Sequence, residues 1–394
     1  MTTHAAAPLT EILLHQGERD LPFNAVSPPI FQTSIFCFPS YDDFRDALSD
    51  EERHYLYTRG NNPTVNLCEQ KLAALEGAEA AKLVSSGVAA SSLAILGSLK
   101  SGEHAVVVGD CYSWVRYFFD TYLARFNIDH TYVEGTDPTE FEAAVRPNTR
   151  LFYLESPTTF TFKLQDLRAV AAIAQKRGIR TIIDNTWATP FFQNPIAHGI
   201  DIVVHSASKY LGGNSDVIGG VIAASKPVMK ELFEHQFLPL GPVPDPFAAW
   251  LIMRNLRTLH LRMPRHFENA LTLATMLEAH PQVEEVLYPF LPSFSQYELA
   301  QRQMRGGSGL FSFRLKTDRL EEVKGFVNSL TLFKRAVSWG GYESLVFPAA
   351  VKFNDDAVPA DRLALIRVHA GIEDVGLLAD DVNNALGALG GVRG

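Results

Sequence analysis

The chain has 394 residues, 46% of them hydrophobic, and a formal net charge of −9. That length can bury a large core and implies more than one domain, while the acidic balance argues against nucleic acid as a partner. No apolar run is long enough for a transmembrane helix, so no membrane partner is expected.

The opening MTTHAAAPLTEILLHQGERD lacks the basic start and apolar stretch of a signal peptide. Residues 1–60 are rich in Pro and aromatic side chains. PPIFQTSIFCFPSYDDF fits neither a helix nor an alternating strand, and reads as an extended arm that must lie on something, another subunit being one candidate. From Asn62-Pro63-Thr64 a helical pattern runs to Glu76-Gly77, with Pro in its first turn and Gly at its end. Strands and helices then alternate. AKLVSS precedes AASSLAILGSL, HAVVVGD precedes WVRYFFDTYLARF, and RLFYLES precedes DLRAVAAIAQKRG; IRTIID and DIVVHS continue the series. Short apolar strands separated by helices predict a mostly parallel sheet with helices on both faces. A long helical segment follows Pro246, and Pro264 should kink or interrupt it. VEEVLYP, GLFSFRL, RLEEVKGFVNSL and DVGLLADDVNNALGAL then suggest a smaller α+β domain. The expected layout is an arm over 1–60, a large α/β domain over 61–260 and a C-terminal domain over 261–394. Cys37, Cys68 and Cys111, the three cysteines, lack metal-ligand spacing; free thiols in a reducing, cytoplasmic compartment and no metal site are expected.

Ligands of open α/β sheets bind beyond the carboxyl ends of the strands. Ser85-Ser86-Gly87, Asp110, Glu155-Ser156, Asp184 and Ser206 to Lys209 all fall at such ends. Asp184 closes one apolar strand, and Ser206-Ala207-Ser208-Lys209 closes the next, before a Gly-rich turn. Pyridoxal phosphate needs that combination: an amine to condense with its aldehyde, a carboxylate to keep the pyridine nitrogen protonated, and hydroxyl and backbone N–H groups for its phosphate. Gly87 and Val88 open a helix whose N-terminus favours an anion. H-E-x-x-H, C-x-x-C, G-x-x-x-x-G-K-[ST] and G-x-S-x-G are missing from the sequence, and LGGNSDVIGG does not open a helix in the Rossmann manner.

DNTWA, HSASKYLGG and NSDVIGG resemble the Cys/Met-metabolism family of pyridoxal-phosphate enzymes, and the resemblance runs from about Tyr57 to the C-terminus. It implies fold type I, with Lys209 as the Schiff-base lysine, Asp184 as partner of the pyridine nitrogen, and Gly87, Val88, Ser206 and Ser208 around the phosphate. Tyr57 and Arg59, in YLYTRGNNPT, match a Tyr-x-Arg motif that reaches the phosphate of a neighbouring subunit; a guanidinium fork suits that task. Each site would then need two chains, and a homo-oligomer built as a dimer of dimers is implied. Tyr112 matches a tyrosine that stacks on the cofactor ring and handles protons, although Tyr-Ser-Trp-Val stands here in place of the frequent Tyr-Gly-x-Thr. Arg116 faces either the substrate or solvent. Arg367, in LIRVHAGIEDV, matches the arginine that grips the substrate carboxylate, and Ser338, in SWGGYESL, matches a serine supporting it.

The reaction is less sharply marked. DNTWA, SGLFSF, SWGGYESL and LIRVHAGIEDV with His369 resemble bacterial cystathionine β-lyase, whereas YTRGNNPTVNLCEQKLAALEG and PFAAWLIMRNLRTL resemble the γ-synthases and γ-lyases. Asn255 replaces a usual glycine, ESPTTF lacks the asparagine of many γ-type members, and Val337 stands where cystathionine enzymes carry an acidic residue or a tyrosine. The expected activity is a carbon–sulfur lyase on a small sulfur amino acid, by β-elimination to a thiol, pyruvate and ammonia. Alternatives are a γ-replacement or γ-elimination enzyme and, in another class, a cofactor-bound regulatory protein.

Overall fold

The computed structural model describes residues 9–390; the first eight residues of the expected arm and the last four of the expected C-terminal domain lie outside the described residues. The chain divides into two compact units. One runs through Leu259 but omits Pro157–Leu164 and Gly213–Ser215, which join the other, from His260 onward.

In the first unit the arm is less irregular than its sequence suggests. Helix α1 spans Leu9–His15 and helix α2 Tyr41–Ser49; Ser40 caps α2 by accepting from the Asp43 N–H at 3.1 Å. The α2 pattern was masked because Tyr41, Phe44 and Leu48 remain exposed and a run of aromatic residues precedes it. The chain after α1 lies on its own subunit: buried Lys71 pairs with Glu18 at 2.8 Å, and Glu18 also takes Arg257 at 3.0 Å. Helix α3 runs Pro63–Glu76, with Asn62 accepting from the Thr64 N–H and Gly77 at φ 69° closing it, so both ends follow the sequence reading.

The large sheet contains β1 (Ala80–Val84), β2 (His104–Val108), β3 (Asp129–Val133), β4 (Thr149–Glu155), β5 (Arg180–Asp184), β6 (Ile202–Ser206) and β7 (Gly220–Ala224). Its order is β1-β7-β6-β5-β4-β2-β3. Every pairing from β6 to β3 is parallel, and β7 is antiparallel to both neighbours. Strand β3, DHTYV, was not expected, because it carries little apolar character. Helix α4 (Gly87–Leu96) buries Ala90, Leu93 and Ala94 against Val84, Ile182, Val204 and Ile222 in one core cluster. Each large aliphatic side chain buried there contributes about 1.5–3 kcal/mol. Side chains alternate along a strand, so Asp184 and Ser206 share the α4 face with Ile182 and Val204.

The second unit carries β8 (Val283–Leu287), β9 (Leu310–Leu315), β10 (Lys334–Arg335), β11 (Leu345–Pro348) and β12 (Leu365–His369), ordered β10-β11-β12-β9-β8. Helices Leu320–Ser329 and Val375–Gly390 belong to it. The expected long helix after Pro246 is two helices, Pro246–Leu256 and Leu259–Glu278, and the break precedes Pro264 rather than falling on it. Pro264 is inside the second helix, which continues through it to Glu278 although the proline removes one backbone N–H.

Candidate active site

The carboxyl ends of β2, β4, β5 and β6 lie side by side. Glu155 pairs with Asp184 in register, and Asp184 with Val204, two residues before Ser206. Asp184 is fixed by its neighbour: Oδ1 accepts from the Thr186 N–H at 2.9 Å and from its hydroxyl. The Thr186 hydroxyl oxygen in turn accepts from the Ser206 N–H at 2.8 Å, joining the two strand ends. Burial pushes the Asp184 carboxyl above its usual range, against the opposing pull of the Thr186 hydrogen bonds, His205 and Lys209. A half-buried carboxylate so disposed suits a cationic partner.

Beyond Ser206 the chain turns sharply. The Lys209 N–H donates to Ser206 O at 3.2 Å and the Gly212 N–H to Ala207 O at 2.7 Å. The Ser208 hydroxyl oxygen accepts from the Gly219 N–H at 3.1 Å. Above this turn stands the N-terminus of α4. Ser86 caps it by accepting from the Ala89 N–H at 3.1 Å. The leading N–H groups, at Gly87 and Val88, belong to the set that no helical carbonyl can reach. A Cβ on Gly87 would sit 2.6 Å from Ser206 Cβ, so only glycine lets the helix come this close to β6. Together these groups form a cradle suited to an anion beside a half-buried carboxylate and a lysine, which fits pyridoxal phosphate.

Tyr112 follows β2 and is half-exposed, and its N–H donates to Glu155 Oε2 at 2.7 Å. Arg116 stacks on Tyr132, its guanidinium carbon 4.8 Å from the ring centroid. Tyr57 and Arg59 line a groove with Gln32–Ser34 and Val243–Pro246, and Asp184, Ser206, Ser208 and Lys209 are not among its lining residues. Their loop is held by an antiparallel bridge between Ile35 and Tyr57 and by buried Lys82, which donates to Gly60 O at 3.0 Å and Asn61 Oδ1 at 2.8 Å.

Arg367 and Ser338 belong to the second unit. Arg367 is buried on β12, with its guanidinium carbon 4.8 Å from the Phe160 ring and 5.2 Å from the Phe347 ring, and it donates to Thr159 at 3.4 Å. Ser338 holds a left-handed backbone at φ 78°. Sequence reasoning missed Thr186, Glu155 as partner of Tyr112, Lys82, and Thr159 with Phe160. Only Thr186 carried a local signal, an Asx-type bond two residues after Asp184.

The family described as Cys/Met metabolism PLP-dependent enzyme matches residues 10–387. The chain is 40% identical over 384 residues to an L-methionine gamma-lyase of Porphyromonas gingivalis, covering 95% of this chain and 96% of that one. It is 37% identical over 389 residues to a putative cystathionine beta-lyase of Rhizobium johnstonii, covering 96% of each. A crystal structure of metB from Corynebacterium glutamicum superposes with a TM-score of 0.90 at 34% identity, over 97% of this chain and 98% of that one. The class that fold and site define is a pyridoxal-phosphate enzyme of mixed α/β architecture with two sheets. The chain belongs to the Cys/Met metabolism family, whose members act on sulfur amino acids with that cofactor. No helix among the described residues is long and apolar enough to cross a membrane.

Proposed function

We propose that this enzyme cleaves the carbon–sulfur bond of a small sulfur amino acid by β-elimination, releasing a thiol, pyruvate and ammonia. The observation that carries the reading is the meeting of Asp184, Ser206 and the Lys209 turn beneath the N-terminus of α4. Bound there, pyridoxal phosphate supplies an electron-accepting ring that stabilises negative charge at the substrate Cα. Gly87 and Val88 give N–H groups to its phosphate, and Ser206 and Ser208 give hydroxyls. Tyr57 and Arg59 add theirs from a neighbouring chain, in a dimer of dimers. The exposed apolar surface of the arm, at Phe23, Val26 and Ile35, supports a subunit contact. Asp184 holds the proton on the ring nitrogen. Tyr112 covers the ring face. Lys209 Nζ anchors the cofactor at rest and then removes the substrate Cα proton. Arg367, with Ser338, grips the carboxylate and turns the Cα–H bond toward the lysine; Arg116 completes the substrate side.

The choice of β-elimination is supported by SWGGYESL and by His369 beside Arg367. Val337 is 72% exposed and apolar, so it offers no partner to a distal ammonium group, and a substrate simpler than cystathionine fits better. A γ-elimination is the second reading, supported by the 40% identity to a protein named L-methionine gamma-lyase. The free thiols Cys37, Cys68 and Cys111 agree with a cytoplasmic setting. The test is incubation with cystathionine, cysteine, methionine and O-acylhomoserines, assaying pyruvate, 2-oxobutyrate and thioether products separately. Pyruvate as the main keto acid supports β-elimination; a preference for 2-oxobutyrate, or for joining a thiol to an O-acylhomoserine, overturns it.

A further inference from the structure

The segment Gly213–Ser215 belongs to the second unit, although Lys209, only four residues before it, belongs to the first. Two contacts hold it there, one at buried Arg262 and one at half-buried Glu343, with Ser215 itself exposed. Gly213, at φ +70°, lies against buried Arg262, whose Nη1 would be 2.2 Å from a Cβ at that position. Ser215, itself at φ 57°, donates its hydroxyl to Glu343 Oε1 at 2.6 Å. Glu343 stands on the loop that carries Ser338. That loop closes tightly around the contact: a Cβ on Gly341 would meet Ser215 Oγ at 2.1 Å and Glu343 Oε2 at 2.5 Å.

The same loop is fastened to the strand of Arg367. His369 Nε2 accepts from the Gly340 N–H at 3.1 Å, so its Nδ1 carries the proton and donates to Glu343 O at 3.0 Å. Ser344 accepts from the Gly371 N–H at 2.9 Å and binds Glu373 at 2.8 and 2.9 Å through its N–H and hydroxyl. One short loop therefore meets the tail of the lysine turn through Glu343 and the arginine strand through His369. Its carboxylate is an expensive way to make a plain structural link. Glu343 Oε2 is buried and has no hydrogen-bond partner among the described residues, a state that costs stability.

We propose that Glu343, through Ser215, is a positioning residue that couples the turn bearing Lys209 to the loop bearing Ser338, so that the proton-transfer group and the carboxylate-binding group are set together. This rests on the assignment of Lys209, Ser338 and Arg367 made above. Coupling has a signature that simple stabilisation lacks, namely that each side responds to a change on the other. In the holoenzyme, Ser215→Ala alters the lysine side, yet it raises KM for the amino acid about fivefold or more. Glu343→Leu alters the loop side, yet it displaces the pH midpoint of the visible absorption of the bound cofactor, measured without substrate. The double variant is no worse than the poorer single one, and Glu343→Gln, which keeps an acceptor for Ser215, retains most of the wild-type behaviour. Effects confined to each variant's own side, or effects that add in the double variant, overturn the coupling. Should Glu343→Leu fail to fold, the KM of Ser215→Ala decides alone. Arg367→Ala and Lys209→Ala run as controls: if they leave KM and covalent cofactor trapping untouched, the site assignment has failed, whereas if they act as argued and the cross-effects are missing, only the coupling has.

Discussion

Gly87 lies against Ser206 so closely that a Cβ at residue 87 would come within 2.6 Å of the Ser206 Cβ, 2.8 Å of its Oγ and 2.9 Å of its Cα. The clash is with backbone and a short side chain, so relief requires α4 to move away from β6. Gly87→Ala should cost about 1–3 kcal/mol by overpacking, and it should weaken cofactor binding by drawing the N–H groups of the helix away from the phosphate. Titration of apo protein with pyridoxal phosphate, followed by absorbance, should give a raised Kd. An unchanged Kd would separate α4 from the cofactor.

Asp184 gives a pH-dependent prediction with a definite sign. Burial raises its carboxyl above the ordinary 3.8. A carboxyl whose pKa is raised by folding keeps its proton longer in the native state, so without cofactor it withdraws stability as pH climbs from the ordinary value through the raised one. Asp184→Asn removes that loss: the melting temperature of the apo variant should fall less with pH over this range and should not lie below wild type at neutral pH. In the loaded protein the order should reverse, because the pyridinium partner is lost, and activity should fall about 10²-fold or more. An apo variant that keeps the wild-type pH slope would count against the assignment.

Arg367 lies against the rings of both Phe160 and Phe347, a setting that suits a planar cation. Losing a charged hydrogen bond to the substrate costs about 1.5–3 kcal/mol, so Arg367→Ala should reduce kcat/KM by roughly 10- to 150-fold, mostly through KM. Arg367→Lys should restore little, since an ammonium neither stacks nor forks. Steady-state kinetics check both, and full recovery by lysine would contradict the bidentate role.

Shared active sites predict complementation. Mixed and allowed to exchange subunits, Arg59→Ala and Lys209→Ala proteins should form hybrids in which one site is intact, and activity should rise above that of either parent. A mixture no more active than its parents would confine each site to one chain, as would a fully active monomer in light scattering.

Much of this site was legible before the structure, and the reason is local. Asn62 and Gly77 mark the ends of α3 because capping chemistry acts within a turn, and Asp184 and Ser206 mark strand ends because an apolar run stops at each. What stayed hidden depends on distant partners. Arg367 meets Thr159 across 208 residues and Tyr112 meets Glu155 across 43, and no spacing rule links them. Strand β3 was invisible because its side chains are only partly buried and so need no apolar alternation. Pro264 did not mark the break, which falls between Leu256 and Leu259, because no residue there carries a breaker signal.

Lys209 carries the central step of the proposed chemistry. Reduction of the loaded enzyme with borohydride, followed by peptide mass spectrometry, should find the pyridoxyl group on Lys209 alone, and Lys209→Ala should lose both the adduct and activity, the latter by about 10²–10⁴-fold or more. Undiminished trapping in Lys209→Ala, or an adduct on another lysine of the wild-type chain, would contradict it.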